Sequence, residues 1–126
     1  CNRQAYKQCG SRRCIRLYKL NYMEEEEKID LVDQVIYWAD QRELIDPKNI
    51  DRQMIKVVEE VGELAAALLK DNQPKIIDGI GDSLVTLIIL SSQLGYHPYQ
   101  CLESAYCEIK NRTGETKNGI FIKDNE

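Results

Sequence analysis

Long uninterrupted apolar runs are missing from this 126-residue chain, and so are the cysteine and histidine patterns that hold soft metals. A membrane span needs roughly 18 or more consecutive apolar residues. The stretch from Ile76 to Leu94 comes nearest, but Asp78 and Asp82 interrupt it, so it reads as a buried helix and no membrane is expected. The five cysteines (Cys1, Cys9, Cys14, Cys101, Cys107) are odd in number and form no CxxC pair, which argues against a disulfide framework or a zinc site. Cys101 and Cys107 read as small apolar helix residues, and a reducing, cytoplasmic setting is expected. The single histidine, His97, lies beside Pro98 with no Glu-x-x-His context, so it reads as structural and a di-iron carboxylate bundle is disfavoured. No internal repeat is visible, and the one low-complexity tract is Glu24–Glu27.

Charge is unevenly distributed. Residues 1–22 carry six Lys or Arg and no acid, leaving 11 basic against 21 acidic residues, a net of −10, in the remainder. A body that acidic is a poor nucleic-acid binder, which disfavours a helix-turn-helix reading. The first 22 residues also lack sustained periodicity and an apolar signal core. They read as a non-native or disordered basic extension, with a phosphate-contacting arm or a transit-like peptide as alternatives. The working domain is placed at 23–126.

Within it the spacing predicts four helices, over about Ile29–Leu44, Asp51–Lys70, Pro74–Leu94 and Pro98–Arg112. Val32, Val35, Ile36 and Ala39 mark the inner face of the first; Met54, Val57, Val61, Leu64, Ala65 and Leu68 that of the second; Leu102, Ala105, Tyr106 and Ile109 that of the fourth. The third is apolar nearly all round after Asp82 and reads as central. Short loops between long helices point to an all-α antiparallel four-helix bundle. Nothing requires a sheet; Asn118-Gly119-Ile120-Phe121-Ile122 is a turn pair with a short β-prone run, read as an extended tail.

Two groups of acids sit inside the most apolar part: Glu59-Glu60-Val61-Gly62-Glu63 and Asp78-Gly79-Ile80-Gly81-Asp82. A carboxylate in apolar surroundings is costly unless paired, protonated or metal-bound, and few cations lie close in sequence. Glu59 and Glu60 share a helix face with Glu63, as Asp78 does with Asp82. An antiparallel hairpin about residues 71–74 brings the two groups side by side. Oxygen-only ligands call for a hard cation, Mg²⁺ or Mn²⁺. Such a cation lets an acidic site take a phosphate, with a remaining carboxylate as general base, so phosphate ester or anhydride hydrolysis is expected. Gly62, Gly79 and Gly81 each cost the helix ~1 kcal/mol, which suggests close helix approach or room for an ion. Lys56 reads either as a phosphate contact or as the i, i+4 partner of Glu60, and Trp38 either as a base-stacking ring or as core.

These residues resemble the MazG-like nucleoside triphosphate pyrophosphohydrolases, whose pattern is Glu-Glu-x-x-Glu, a spacer, then Glu-x-x-Asp. Glu59-Glu60-Val61-Gly62-Glu63 matches the first block and Asp82 the final Asp. The likeness extends over most of residues 30–123, including Trp38-Ala39-Asp40-Gln41-Arg42, Ala105–Gly114 and Asn118–Lys123, and is similar to the small phage-type members. It implies the all-α pyrophosphatase fold, Mg²⁺, and cleavage of a nucleoside triphosphate between the α and β phosphates. It also implies a homodimer or homotetramer and a house-cleaning role. Carried over residue by residue, it makes Glu60, Glu63 and Asp82 metal ligands and Glu59 a ligand or base, with Lys110, Asn111 and Arg112 near substrate. One position departs: the second-block Glu falls on Gly79. Either Asp78 substitutes, or the site has one ligand fewer. A catalytically weakened nucleotide-binding protein on the same fold is the alternative function.

Overall fold

The computed structural model describes residues 30–124, so the expectations for residues 1–22 and for Glu24–Glu27 fall outside the described residues. Four α-helices and a two-stranded sheet make up the described chain: α1 (Leu31–Asp40), α2 (Ile50–Leu69), α3 (Gln73–Gln93), α4 (Pro98–Ile109), β1 (Gly114–Lys117) and β2 (Ile120–Lys123). A 3₁₀ turn, Pro47–Asn49, leads into α2. The protein is therefore mostly helical, as expected, and the β-prone tail read as an extended arm instead pairs as a two-stranded sheet. These residues divide into two compact units, 30–98 and 99–124.

In the first unit two of the three helices begin with a side-chain cap, and all three end for an identifiable reason. Asp30 caps α1, its Oδ1 accepting from the Val32 and Asp33 amides at 2.8 and 3.3 Å. Asn72 caps α3 and Pro74 occupies its first turn, where a missing N–H costs nothing. The three helices end alike. After α1, Leu44 N–H donates to Ala39 C=O and Glu43 N–H to Asp40 C=O; after α2, Asn72 donates to Ala67 and Asp71 to Leu68; after α3, Tyr96 donates to Ser91 and Gly95 to Ser92. Each is the paired 6→1 and 5→2 pattern that closes a helix through one left-handed residue. That residue is Gly95 after α3, but Glu43 (φ 57°) after α1 and Asp71 (φ 48°) after α2. The first helix consequently stops at Asp40, four residues earlier than expected.

Helices α2 and α3 form an antiparallel hairpin that carries most of the packing in this unit, with α1 lying against α3. On α3 the buried side is Gly79, Ser83, Thr86, Ile89 and Gln93; on α2 it is Val57, Glu60 and Ala67. This seam is small and polar. Gln53 Nε2 donates to the Thr86 carbonyl at 3.0 Å, Ser83 Oγ to the Gly79 carbonyl, and Thr86 Oγ1 to the Ser83 carbonyl. Gln93 Nε2 reaches the Leu44 carbonyl at 2.9 Å and ties α3 to the loop after α1. His97 Nε2 lies 2.8 Å from Asp33 Oδ1, tying the loop before α4 to the start of α1 in the structural role expected of it.

The larger apolar side chains face outward instead. Of the inner face expected on α2, Val57 is buried, whereas Met54, Val61 and Leu68 are exposed. Ile77, Ile80, Leu84 and Leu87 of α3 are exposed too. Helix α3 is also long and apolar enough to cross a membrane by length and composition alone, with 22% of its apolar window buried. Asp78 and Asp82 do interrupt the run, but the reading of this segment as a buried helix is corrected, since little of that window is buried.

In the second unit, α4 leads to a β-hairpin in which Gly114 pairs with Lys123 and Lys117 with Ile120. Asn118 (φ 51°) and Gly119 (φ 77°) form its two-residue loop, both central residues having the positive φ that a tight hairpin turn demands. The inner face expected on α4 is not buried here: Leu102 and Ile109 are 59% and 52% exposed. Cys107 is disulfide-bonded, which corrects its reading as a reduced apolar helix residue.

Candidate functional site

The hairpin encloses a cleft of about 390 Å³ lined by Glu63, Ala66, Ala67 and Lys70 of α2 and its cap, Asn72, and Lys75, Asp78, Gly79 and Asp82 of α3. The two walls have the same spacing. Residues 63, 66, 67 and 70 follow one helical stripe, and 75, 78, 79 and 82 follow another. Because the helices are antiparallel about a short turn, the stripes run in mirrored order. Lys70 and Lys75 are nearest the turn, and Glu63 and Asp82 are furthest from it. The small side chains of Ala66, Ala67 and Gly79 occupy the middle and leave the space.

Three of the sequence-predicted ligands, Glu63, Asp78 and Asp82, thus line one cavity. None of the three makes an ion pair or side-chain hydrogen bond among the described residues. Glu59 and Glu60 lie one turn further from the tip and are not among the lining residues. Both are held by Lys56, whose Nζ is 3.2 Å from Glu59 Oε2 and 2.9 Å from Glu60 Oε1. Glu60 is buried at 8% exposure, so its pairing offsets a desolvation cost that a surface pair would not carry. Hydrogen bonds that Lys56 donates to Glu60 and then to Glu59 raise its pKa above the ordinary value. The interaction is therefore complete at neutral pH and is lost as pH climbs through the raised value. Of the two readings of Lys56, the i, i+4 partner of Glu60 is the one seen, and Glu63 forms no ion pair among the described residues.

Gly79 has a packing reason. A Cβ at this position would come within 3.0 Å of Leu64 Cβ and 3.1 Å of Leu64 Cα, so the closest approach of α2 and α3 depends on its absence. A glutamate at this position would push against the α2 backbone. Gly62 and Gly81 face open space, and the reading of them as close-approach residues is corrected.

Among the described residues, no group of three or more acidic, His or Cys side chains is drawn together as a ready metal cage. Mg²⁺ seldom uses such cages; it keeps several waters and takes one or two carboxylates plus the phosphates of a substrate. The hard carboxylate oxygens of Glu63, Asp78 and Asp82 fit that mode of binding.

The other candidates are not among the residues that line this cleft. Trp38 is 45% exposed, and the Arg42 guanidinium lies 4.3 Å from the centre of its ring. Arg42 also donates to the Trp38 carbonyl, so one face of the ring already carries a cation. Lys110, Asn111 and Arg112 follow the end of α4, in the second unit. Sequence reasoning passed over Lys70 and Lys75. Their signal was available: each is seven residues, two helical turns, from a predicted ligand on the same stripe.

No protein-family model matches the chain, and no solved structure matches it significantly. It is similar to an uncharacterized 18.2 kDa protein from the rep-hol intergenic region of Haemophilus phage HP1, with 36% identity over 63 residues. That match covers 50% of this chain and 39% of the phage protein, so the chain spans well under half of its relative's length.

Proposed function

We propose that the chain is a Mg²⁺-dependent nucleoside triphosphate pyrophosphohydrolase of the MazG-like type, with its helices arranged as the antiparallel four-helix bundle of that class. The observation that carries the proposal is the lining of one cleft by Glu63, Asp78 and Asp82, three carboxylates from two helices that form no ion pair among the described residues. Asp78 takes the part that Gly79 cannot. Bound Mg²⁺ would supply charge neutralisation and a water of lowered pKa. Hydrolysis then needs a water oxygen to bond to one phosphorus of the α–β anhydride while the bridging bond breaks. The phosphate group on the other side departs with that electron pair, giving monophosphate and pyrophosphate, and a carboxylate takes the water proton. Glu59 is exposed and is the candidate base; Glu60 is the candidate further ligand. Both act only when Lys56 releases them, and substrate phosphate is a competing anion for that lysine.

The outward apolar faces of α2 and α3 support a homodimer or homotetramer in which a second copy covers them. A weakened, nucleotide-binding version of the same protein is the second reading. The packing demand at Gly79 favours it, because that demand removes a carboxylate from the second block.

Pyrophosphate release from a panel of NTPs and dNTPs, in Mg²⁺, Mn²⁺ or EDTA, tests the proposal. Metal-dependent turnover is expected, with Glu63→Ala and Asp82→Ala each reducing kcat/KM by about 100-fold or more, the scale of losing a group that acts on the transition state. Nucleotide binding without turnover in any metal would favour the second reading. A fully active Asp78→Ala variant would remove Asp78 from the site.

A further inference from the structure

The β-hairpin turns on Asn118-Gly119, the one step in the chain where an asparagine precedes a glycine. Both residues are exposed and have positive φ, 51° and 77°. Among the described residues the Gly119 N–H donates no hydrogen bond, and the space beside its Cα is open. The strands on either side are exposed at every residue. Among the described residues their main packing is with each other. A two-stranded hairpin of that kind is marginally stable and opens readily. Its one ion pair, Lys117 Nζ to Glu115 Oε1 at 2.6 Å, joins two residues of the same exposed strand and adds little to the pairing.

That setting has a chemical consequence. A side-chain amide is an electrophile, and the backbone nitrogen of the next residue can close a ring on it. Glycine leaves that nitrogen unhindered. Ring closure needs Cβ and the following nitrogen on the same side of the Cα–C bond. A left-handed residue, with ψ of about +47°, sets them nearly opposite. The closed turn therefore withholds the nucleophile from Asn118, and opening of the hairpin delivers it.

We propose that Asn118 is a self-modification site, deamidating through attack by Gly119 N whenever the hairpin opens. Gly119 N gives its proton to solvent base and bonds to Asn118 Cγ. The Cγ–Nδ2 bond breaks, and ammonia leaves with that electron pair and a proton from water, giving a cyclic imide. Water then adds to one ring carbonyl, the bond from that carbon to the ring nitrogen breaks, and the nitrogen regains its proton. Attack at Cγ gives aspartate; attack at the backbone carbonyl gives isoaspartate. One water is consumed and one ammonia released, with no oxidant or cofactor. The two products differ in what they do to the fold. Aspartate before glycine also suits this tight turn, so the hairpin re-forms. Isoaspartate routes the main chain through Cβ, and the longer loop breaks the pairing of Lys117 with Ile120. The site thus converts a reversible opening of the hairpin into a permanent one, and adds a negative charge beside Lys117. None of this depends on the pyrophosphohydrolase reading.

Incubation of the full chain in mildly alkaline buffer, followed by peptide mass mapping and enzymatic detection of isoaspartate, tests the proposal. The peptide holding Asn118 should gain the mass of an amide-to-acid conversion ahead of those holding Asn49, Asn72 or Asn111. Urea that unfolds the chain should speed the conversion by about tenfold or more, tenfold being about 1.4 kcal/mol of hairpin closure. Phe121→Ala removes the ring opposite Thr116 and should speed it in native buffer by about two- to fivefold, the worth of one cross-strand pair. Circular dichroism checks that the helices survive. Asn118→Gly keeps a turn-compatible pair and should abolish the mass gain. In the isoaspartate fraction, amide exchange at Ile120 should be faster than in the unmodified chain. A native chain that stays unmodified while the urea-unfolded chain converts would overturn the proposal. Equal rates in native buffer, in urea and in Phe121→Ala would overturn it too, since the hairpin would then control nothing.

Discussion

Three glycines sit inside helices α2 and α3, and only one of them is there for packing. Gly79 lies against the Leu64 backbone and Cβ, whereas Gly62 and Gly81 face open space. The physical expectations are therefore opposite. Gly79→Ala should destabilise by about 1–3 kcal/mol through overpacking at the helix crossing. Gly62→Ala should stabilise by about 1 kcal/mol, because alanine is the better helix former and meets nothing. Urea unfolding of the two variants measures both, and a stabilised Gly79→Ala would show that the close approach is not needed. At this scale the acid groups of the sequence also separate. Glu59 and Glu60 belong to Lys56, and Glu63 belongs to the cleft. Residues four apart on a helix can equally share a cation or share a cavity, so spacing alone could place these carboxylates on one face but could not apportion them.

At the scale of elements, helix existence was legible, and so were the ends of α2 and α3 to within a residue; the end of α1 was not. All four helices fall where periodicity puts them, because long amphipathic segments with Pro47, Pro74, Gly95 and Pro98 between them admit few alternatives. The end of α1 was misjudged because its left-handed closing residue is Glu43, which has no sequence signature, instead of glycine. A side chain in that conformation is strained, and glycine relieves the strain. Glu43→Gly should stabilise the protein by roughly 0.5–1 kcal/mol after its own entropy cost. Thermal or urea unfolding checks the sign, and destabilisation would mean that the Glu43 side chain contributes something its exposure does not suggest. The β-hairpin illustrates the opposite case. Asn118-Gly119 was visible as a turn pair, but the strand before it, Gly114-Glu115-Thr116-Lys117, carries no alternating apolar pattern. Its pairing with Ile120–Lys123 was therefore not apparent from composition.

Across the whole molecule, the outstanding fact is where the large apolar side chains are. Among the described residues the buried apolar set is Ala39, Val57, Ala67 and Ile89, while Val58, Val61, Leu84 and Leu87 are exposed. Exposed apolar surface on this scale is what the proposed homo-oligomer would cover. The apparent melting temperature should then rise with protein concentration, and sedimentation should show a dimer or larger species that Leu84→Glu shifts toward monomer. A monomer at 100-fold different concentrations with one unchanged melting temperature would refute it. The sequence by itself determined a mostly helical chain, a hairpin turn at residues 71–74 and two acid groups on facing stripes, because helical period and turn chemistry are local properties. Which side of α2 faces α3, why a side chain at position 79 would press on Leu64, which acids Lys56 holds and which line the cleft with Lys70 and Lys75 were decided only by tertiary structure. Each depends on the rotation and separation of two packed helices, and a few degrees or tenths of an ångström there change which side chains meet.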